Sequence, residues 1–380
     1  MNSPSMLDPD ATHPRSGQWN SEAFLDVGGN RLKLATSGQG PSEFHGLQRD
    51  SSVQELLTPF RDLMQDERVT EICVNRPGEI WYEKASRWCV QSGPAVLTES
   101  MLSLATAVAT FSNQRVDEST PLLSAAMPDG SRIQFALPPA VEPDRLSFTM
   151  RKPARTIRTL DEFEAQGLFN KVRPCSSGLT DVDVELQNLL GRKDYKRFFQ
   201  LAVRSRKNIV VSGATGSGKT TFMKSLVKEI DLNERLITIE DVRELFVPHP
   251  NTVHLLYSKG GQSQANTTPK SLLESCLRMK PDRILLAELR GDECLYYVRN
   301  AASGHPGSIT SCHAGSPALA FEQMAIMIQD SPGGANLTFD VIKRLLTLTI
   351  DVVVQFQNHG GDRFISEIYF EPSRKLEASQ

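Results

Sequence analysis

The most informative segment of the chain is NIVVSGATGSGKTT, residues 208–221. Its first five residues form a short apolar run rich in Val and Ile, which is typical of a buried parallel strand. Residues 213–220 match G-x-x-x-x-G-K-[ST] at every fixed position, and apolar residues at helical spacing continue to residue 230. A strand, a glycine-rich loop and a helix in this order predict a loop that binds phosphate groups.

The chemistry of this loop indicates a nucleoside triphosphate. Its glycines let backbone N–H groups converge on phosphate oxygens, and the helix N-terminus adds a partial positive charge. Lys219 is expected to reach the β- and γ-phosphates, and the hydroxyl of Thr220 to hold Mg²⁺. The residues expected to bind nucleotide are Gly213, Ala214, Thr215, Gly216, Ser217, Gly218, Lys219, Thr220 and Thr221.

Length and composition narrow the class of protein. A chain of 380 residues predicts two domains. The net charge of −3 argues against a strongly basic nucleic-acid surface. Six scattered cysteines without a C-x-x-C pair indicate a reducing compartment rather than disulfides or a zinc site. Because no segment reads as a secretory signal or a membrane span, we expect a cytoplasmic protein that can dock on a membrane assembly.

The sequence pattern divides the chain into four parts. Residues 1–50 are predicted to be a flexible extension, because they are polar and lack periodicity. Residues 51–153 mix helices and short strands, including a hairpin at NRPG, and predict a small α+β domain. Residues 154–193 are predicted to be a linker with one or two short helices. Residues 194–380 alternate strands and helices, which predicts an α/β domain with a doubly wound, mostly parallel sheet.

Acidic residues follow two of the predicted strands. Glu288 ends the run ILLAE, and Glu240 and Asp241 end the run LITIED. In nucleotide hydrolases an acid at such a strand end orients water, directly or through Mg²⁺. We expect Glu288 to serve the attacking water, and Glu240 or Asp241 to polarise that water or to hold the metal through a water. Which of Glu240 and Glu288 positions the water stays open, and the alternatives are a helix-capping acid and a solvated acidic turn.

Two histidines lie near the end of another predicted strand, in SGHPGSITSCHAGS. The spacing of His305 and His313 across a strand matches no common zinc signature. We therefore expect a polar contact from His313 to the γ-phosphate or to Glu288 rather than metal ligation.

Seven segments resemble the traffic ATPases of bacterial type IV secretion, which share a superfamily with conjugation, type II secretion and pilus retraction motors. The segments are VTEICVNRPGEIWYE, MPDGSRIQFALPPA, TMRKP, AVRSRKNIVVSGATGSGKTT, ITIEDVREL, LRMKPDRILLAELRGDE and SGHPGSITSCHAGS. The last four correspond to the Walker A, Asp-box, Walker B and His-box motifs of that family. The resemblance covers residues 54–370.

The resemblance implies an ATPase that uses ATP and Mg²⁺. It further implies a homohexamer in which an N-terminal ring is stacked on a ring of RecA-like domains, with ATP between the two domains. Basic residues of the N-terminal domain, here Arg132 and Arg151, would reach the phosphates; the alternative for each arginine is a place on a solvated face. The implied partners are inner-membrane components of a type IV secretion apparatus, with peripheral membrane association and no stable binding of nucleic acid.

Other functions compete with this one. A pilus or type II secretion motor shares the motifs, but many of those motors carry a four-cysteine zinc element that this chain lacks. A nucleic-acid translocase is disfavoured by the net charge and by the absence of interleaved aromatic and basic residues. A switch that binds ATP without hydrolysis is disfavoured by the intact Lys219, Thr220, Glu240 and Glu288. The sequence leaves open the cargo, the docking components and the role of residues 1–50.

Overall fold

A computed structural model describes residues 51–154, 156–172, 178–258 and 265–379. The predicted N-terminal extension therefore lies outside the described residues. No helix in these ranges is long and apolar enough to cross a membrane. Five of the cysteines fall in these ranges, all free and four of them buried.

The N-terminal part is built on a six-stranded sheet. Its strand order is β3-β2-β1-β6-β5-β4, and every neighbouring pair is antiparallel. Residues 53–64 carry apolar residues at helical spacing, but Pro59 interrupts them, and the structure has two short helices joined by a 3-10 turn, Thr58–Phe60. The elements are α1 (Ser51–Leu56), α2 (Arg61–Gln65), β1 (Val69–Val74), β2 (Gly78–Lys84), β3 (Arg87–Gly93), α3 (Thr98–Phe111), β4 (Leu122–Ala126), β5 (Arg132–Ala136) and β6 (Ser147–Arg151).

The C-terminal part is built on a seven-stranded sheet. Its order is β13-β12-β7-β11-β10-β8-β9, and all neighbours are parallel except the terminal pair β12 and β13. The elements are α4 (Leu160–Ala165), α5 (Asp181–Gly191), α6 (Tyr195–Arg204), β7 (Ile209–Gly213), α7 (Lys219–Val227), β8 (Leu236–Glu240), β9 (Thr252–Leu256), α8 (Pro269–Cys276), β10 (Arg283–Leu286), α9 (Glu293–Ala302), β11 (Ile309–Cys312), α10 (Pro317–Asp330), α11 (Phe339–Thr349), β12 (Val352–His359), β13 (Asp362–Tyr369) and α12 (Pro372–Ala378). The predicted fold class, a parallel α/β sheet preceded by a smaller α+β part, is confirmed.

Two helices lie within the predicted linker. No residue of α4 is buried. In α5, by contrast, Leu186 and Leu189 pack into the apolar core of the larger sheet, together with Phe198 of α6. The buried face of α5 therefore belongs to the larger sheet, and the domain boundaries proposed from the sequence remain predictions.

A buried arginine joins the two sheets. Arg235, which directly precedes β8, is fully buried, and its Nη1 donates to Asn75 Oδ1 (2.8 Å) and Asn251 Oδ1 (2.5 Å). Its Nε donates to the carbonyl of Met279 at 2.9 Å. Because a buried guanidinium is costly without such partners, this contact favours one arrangement of the sheets. It lies at the N-terminal end of β8, whereas ligand sites in parallel sheets lie at the other end.

Candidate active site

The phosphate-binding loop joins the C-terminal end of β7 to α7. Gly213 leaves no room for a side chain, because an added Cβ would lie 2.8 Å from the carbonyl oxygen of Phe356. Gly218, the N-cap of α7, has a φ of +101°, which a residue with a Cβ rarely adopts. These glycines hold the backbone in a tight turn before a helix N-terminus, as anion binding requires.

Lys219 points into its own loop. Its ammonium donates to the carbonyls of Gly213 (2.6 Å) and Ala214 (2.9 Å). Burial lowers the pKa of this ammonium, and the nearby Glu288 carboxylate opposes that effect. A phosphate oxygen would offer the same ammonium a charged acceptor, which makes a stronger hydrogen bond than a carbonyl.

A cavity of about 360 Å³ opens beside the loop. Besides residues 215–221, its charged and polar lining comprises Asp241, Glu244, Glu288, Arg290, Ser311, His313 and Arg363. Of the predicted site residues, Lys219, Thr220, Asp241, Glu288 and His313 therefore share one cavity. They come from the ends of different strands of the larger sheet, as expected for a parallel sheet.

Glu288 is the centre of a charged cluster in this cavity. His313 Nε2 lies 2.5 Å from Glu288 Oε1, which is one of the two contacts predicted for that histidine. Arg290 donates to Glu288 Oε2, and its other terminal nitrogen lies 3.5 Å from Asp241 Oδ2. Burial raises the pKa of the Glu288 carboxyl, against the opposing charges of His313 and Lys219. A carboxylate so held, with an increased affinity for protons, can orient a water molecule.

Glu240 occupies a different environment. It is fully buried at the end of β8, and its Oε2 accepts the backbone N–H groups of Glu244 (2.8 Å) and Leu245 (2.7 Å). Among the described residues that line the cavity, its neighbour Asp241 is present and Glu240 is not. Glu240 therefore contacts the backbone of the loop after β8, whereas Asp241 lines the cavity.

Arg132 and Arg151 lie on the N-terminal sheet, side by side in neighbouring strands. Both side chains are exposed, and Arg151 Nε lies 3.5 Å from Glu71 Oε1. Arg151 lines a second cavity, of about 1360 Å³, whose described lining shares no residue with the cavity at the phosphate-binding loop. Within one chain, the described structure does not bring these two arginines to the loop.

Two basic residues of the cavity were not identified from the sequence. Arg290 follows Glu288 by two positions, a spacing that offered a signal in LAELRG. Arg363 reaches the cavity from β13, and its Cδ lies 3.8 Å from the position of a Cβ on Gly218. The register of the β12–β13 hairpin places Arg363 there, and no local sequence pattern reveals that register.

The residues present fit both a triphosphate and Mg²⁺. The loop offers backbone N–H groups and a buried ammonium for phosphate, while Thr220 and Asp241 line the same cavity. Mg²⁺ is usually held by one or two carboxylates together with phosphates and waters. Within the described ranges no group of three His, Cys, Asp or Glu residues could hold a metal alone. His305 lies outside the lining, and its Nδ1 donates to the carbonyl of Pro281 at 3.1 Å.

Sequence comparisons connect this architecture with known proteins. A family model described as type II/IV secretion system protein matches residues 54–355. VirB11, a type IV secretion system protein of Brucella suis biovar 1 (strain 1330), is 49% identical over 335 residues, covering 87% of this chain and 93% of that protein. VirB11 of Bartonella henselae is 42% identical, covering 86% of this chain and 96% of that protein. The type IV secretion system protein PtlH of Bordetella pertussis is 40% identical, covering 82% of this chain and 92% of that protein.

A solved structure is similar over nearly its whole length. The crystal structure of the VirB11 ATPase from the Brucella suis type IV secretion system, in complex with sulphate, matches with a TM-score of 0.83 at 49% identity. The match covers 87% of this chain and 98% of the crystallised one. The two-sheet architecture described above is therefore shared with a solved secretion ATPase.

Proposed function

Because the chain belongs to the type II/IV secretion system protein family and is an ATPase, we propose that it is a ring motor that powers type IV secretion. One observation carries the proposal. Lys219 and Glu288 meet in one cavity with the phosphate-binding loop, on a chain that is 49% identical to a VirB11 protein over 87% of its length. The relatives that carry the name of a type IV secretion protein favour this function over a pilus motor, a type II secretion motor or a nucleic-acid translocase.

The proposed residue roles follow from the cavity. The loop N–H groups and Lys219 bind the phosphates, with Lys219 placed to neutralise charge on the β- and γ-phosphates. Thr220 and Asp241 hold Mg²⁺, which neutralises the developing phosphate charge when bound. Glu288 orients the attacking water, and His313 and Arg290 hold that carboxylate in place.

The proposed assembly is a homohexamer at the cytoplasmic face of the inner membrane. There the chain would associate peripherally with membrane components of the secretion apparatus, without stable binding of nucleic acid. The net charge of −3 supports the last point, because sequence-independent binding to nucleic acid depends on basic surfaces.

Replacement of Lys219 by alanine tests the proposed function. We expect Lys219→Ala to lower kcat by about 100-fold or more, the cost of removing one preorganised donor to a transition-state charge, and to weaken nucleotide binding. Lys228→Ala, an exposed lysine that directly follows α7, is the matched control and should hydrolyse ATP normally. Steady-state hydrolysis and nucleotide affinity would be measured for both variants. Normal turnover in Lys219→Ala would refute the assignment of the loop.

A further inference from the structure

The loop after β8 has neither helix nor strand to fix its shape. We call residues 241–247, DVRELFV, the acidic loop. It begins at Asp241, which lines the nucleotide cavity, and its backbone N–H groups at Glu244 and Leu245 are held by Glu240. A segment without regular hydrogen bonding depends on side-chain contacts for its conformation. The contacts of the acidic loop therefore influence where Asp241 lies.

The side chain of Arg243, in the middle of the acidic loop, connects two parts of the molecule. Its Nη1 donates to Glu142, which lies between β5 and β6 of the N-terminal sheet. Its Nη2 lies 3.0 Å from Nε2 of His254 on β9 of the larger sheet. One guanidinium thus contacts a carboxylate of the N-terminal part and an imidazole of the nucleotide-binding part.

The protonation state of His254 follows from these contacts. A guanidinium only donates, so Nε2 of His254 must accept and the proton must sit on Nδ1. Nδ1 in turn donates to Thr238 Oγ1 at 2.8 Å, on β8 two residues before Glu240. Burial and the neighbouring Arg243 lower the pKa of His254 to about 4, so the imidazole is neutral at neutral pH and keeps its acceptor. The guanidinium is therefore anchored to β8 and β9 as well as to Glu142.

We propose that Arg243 is a positioning residue through which the N-terminal part, by way of Glu142, sets the position of the acidic loop and of Asp241 at the nucleotide. A shift of the N-terminal part moves Glu142, and the guanidinium transmits that shift to the loop. Only a planar fork of donors can serve Glu142 and His254 at once, whereas an ammonium is a compact point charge. The proposal rests on hydrolysis at the cavity and adds a route by which the N-terminal part controls it.

Variants at both ends of the contact test this proposal kinetically. We expect Arg243→Ala to lower kcat about tenfold, since small misplacement of a positioned group slows the chemical step, while ADP affinity stays near wild type. Glu142→Ala should have a smaller effect in the same direction, and the double variant should be no slower than Arg243→Ala alone. Arg243→Lys should remain slow, because it restores the charge without the fork. If the two substitutions lowered kcat independently, so that their effects multiplied in the double variant, the proposed coupling through Glu142 and Arg243 would be wrong.

Amide hydrogen exchange in nucleotide-free protein gives a readout that does not depend on turnover. The N–H groups of Glu244 and Leu245 should exchange faster in both Arg243→Ala and Glu142→Ala. The matched control is Lys280→Ala, which removes an ion pair with Glu83 (3.1 Å) between the same two parts but does not touch the acidic loop. It should leave exchange at both amides and kcat unchanged. Unchanged exchange in Glu142→Ala, or an equal loss of kcat in Lys280→Ala, would overturn the proposal. Failure of the phosphate-binding loop itself would be seen separately, in Lys219→Ala.

Discussion

Glu288 has the features expected of an acid that positions water, the role proposed for it above. Its side chain is 15% exposed, it contacts His313 and Arg290, and burial raises its pKa. These two side chains contact different oxygens of Glu288 and restrict its rotation, so the carboxylate is oriented before substrate arrives. Glu240 lacks such access, because it is fully buried and does not line the cavity, and its Oε2 accepts two backbone N–H groups. The structure therefore favours Glu288 for the water and Glu240 for the shape of the loop.

This division of roles predicts different effects for two conservative substitutions. Glu288→Gln keeps the shape of the side chain but removes the charge that orients water. It should bind ATP with Mg²⁺ near normally and hydrolyse it at least about tenfold more slowly, since water positioning acts chiefly in the transition state. Single-turnover hydrolysis and ATP affinity are the measurements. If Glu240→Gln were crippling and Glu288→Gln mild, the two roles would have to be exchanged.

The sequence was informative about this site wherever the site follows the ends of strands. A local pattern identified four residues, because each lies in the phosphate-binding loop or within two residues of the end of a strand: Lys219, Asp241, Glu288 and His313. Arg363 comes from the middle of the chain's last hairpin, and only packing brings it to Gly218. Long-range register of this kind has no local signature in one sequence.

Among the elements, the pairing of β1 with β6 creates an unusual buried acid. Glu71 and Arg151 are register partners, yet Glu71 is only 2% exposed while Arg151 is exposed. Burial raises the pKa of Glu71 to about 7, and the charge of Arg151 only partly offsets this. The folded protein therefore binds a proton at Glu71 more tightly than the unfolded chain does. Stability should fall as the pH rises from about 4.5 to about 7.

Glu71→Gln tests this sign. The neutral amide removes the cost of burying the ionised carboxylate. The free energy of unfolding of the variant, relative to wild type, should therefore be higher at pH 8 than at pH 4.5. The upper limit of the gain is about 3 kcal/mol, from the size of the pKa shift. Loss of the exposed Arg151 contact costs little. Urea unfolding at the two pH values is the measurement, with Glu118→Gln, an exposed carboxylate, as control. An equal difference from wild type at both pH values would contradict the prediction.

The strands and helices were predictable where burial gives them a pattern, and were missed where it does not. Most strands of the larger sheet are apolar runs, and the sequence predicted them. The strand β13 was also predicted, although most of its side chains are exposed. β3 was missed because its side chains are mostly exposed and its turn lacks a signal. Ala85 and Ser86 both have positive φ in that two-residue turn, a geometry for which Asn-Gly is the usual sequence. The short strand β4, LLSAA, was also missed, because its sequence contains few residues that favour strands.

At the scale of the whole molecule, the arrangement of the two sheets bears on the arginines of the N-terminal part. The N-terminal sheet contacts the larger sheet through Arg235, at the N-terminal end of β8. The segment between β5 and β6 also contacts the acidic loop, through Glu142 and Arg243. The phosphate-binding loop follows the C-terminal end of β7, which runs parallel to β8 in the same sheet. The loop therefore lies at the opposite end of the strands from Arg235. Neither Arg132 nor Arg151 lines the cavity at the loop of its own chain. If they act on phosphate, as the family resemblance implies, we propose that the phosphate belongs to another subunit of the proposed ring. A closed ring supplies such a neighbour to every subunit.

The last prediction follows from that geometry. Arg151→Ala should lose most turnover while binding ADP almost as well as wild type, because a guanidinium acts chiefly on the charge of the phosphoryl transition state. Arg132→Ala should behave in the same way with a smaller loss, and lysine should rescue either position poorly. Mixing Arg151→Ala with Lys219→Ala subunits should restore part of the activity, because an intact loop can then face an intact Arg151 of its neighbour.

A second mixture supplies the control. A mixture of Lys219→Ala and Glu288→Gln subunits should recover no ATPase activity by complementation between neighbours. Both residues line the same cavity of one chain, so no neighbour replaces either of them. Steady-state hydrolysis of each mixture, at subunit ratios varied around equality, separates the two cases. Absence of recovery in the first mixture would place Arg151 at the nucleotide of its own chain. Normal turnover in both single arginine variants would mean that the N-terminal part covers the ring without contributing to hydrolysis, because a group outside the transition state leaves kcat unchanged.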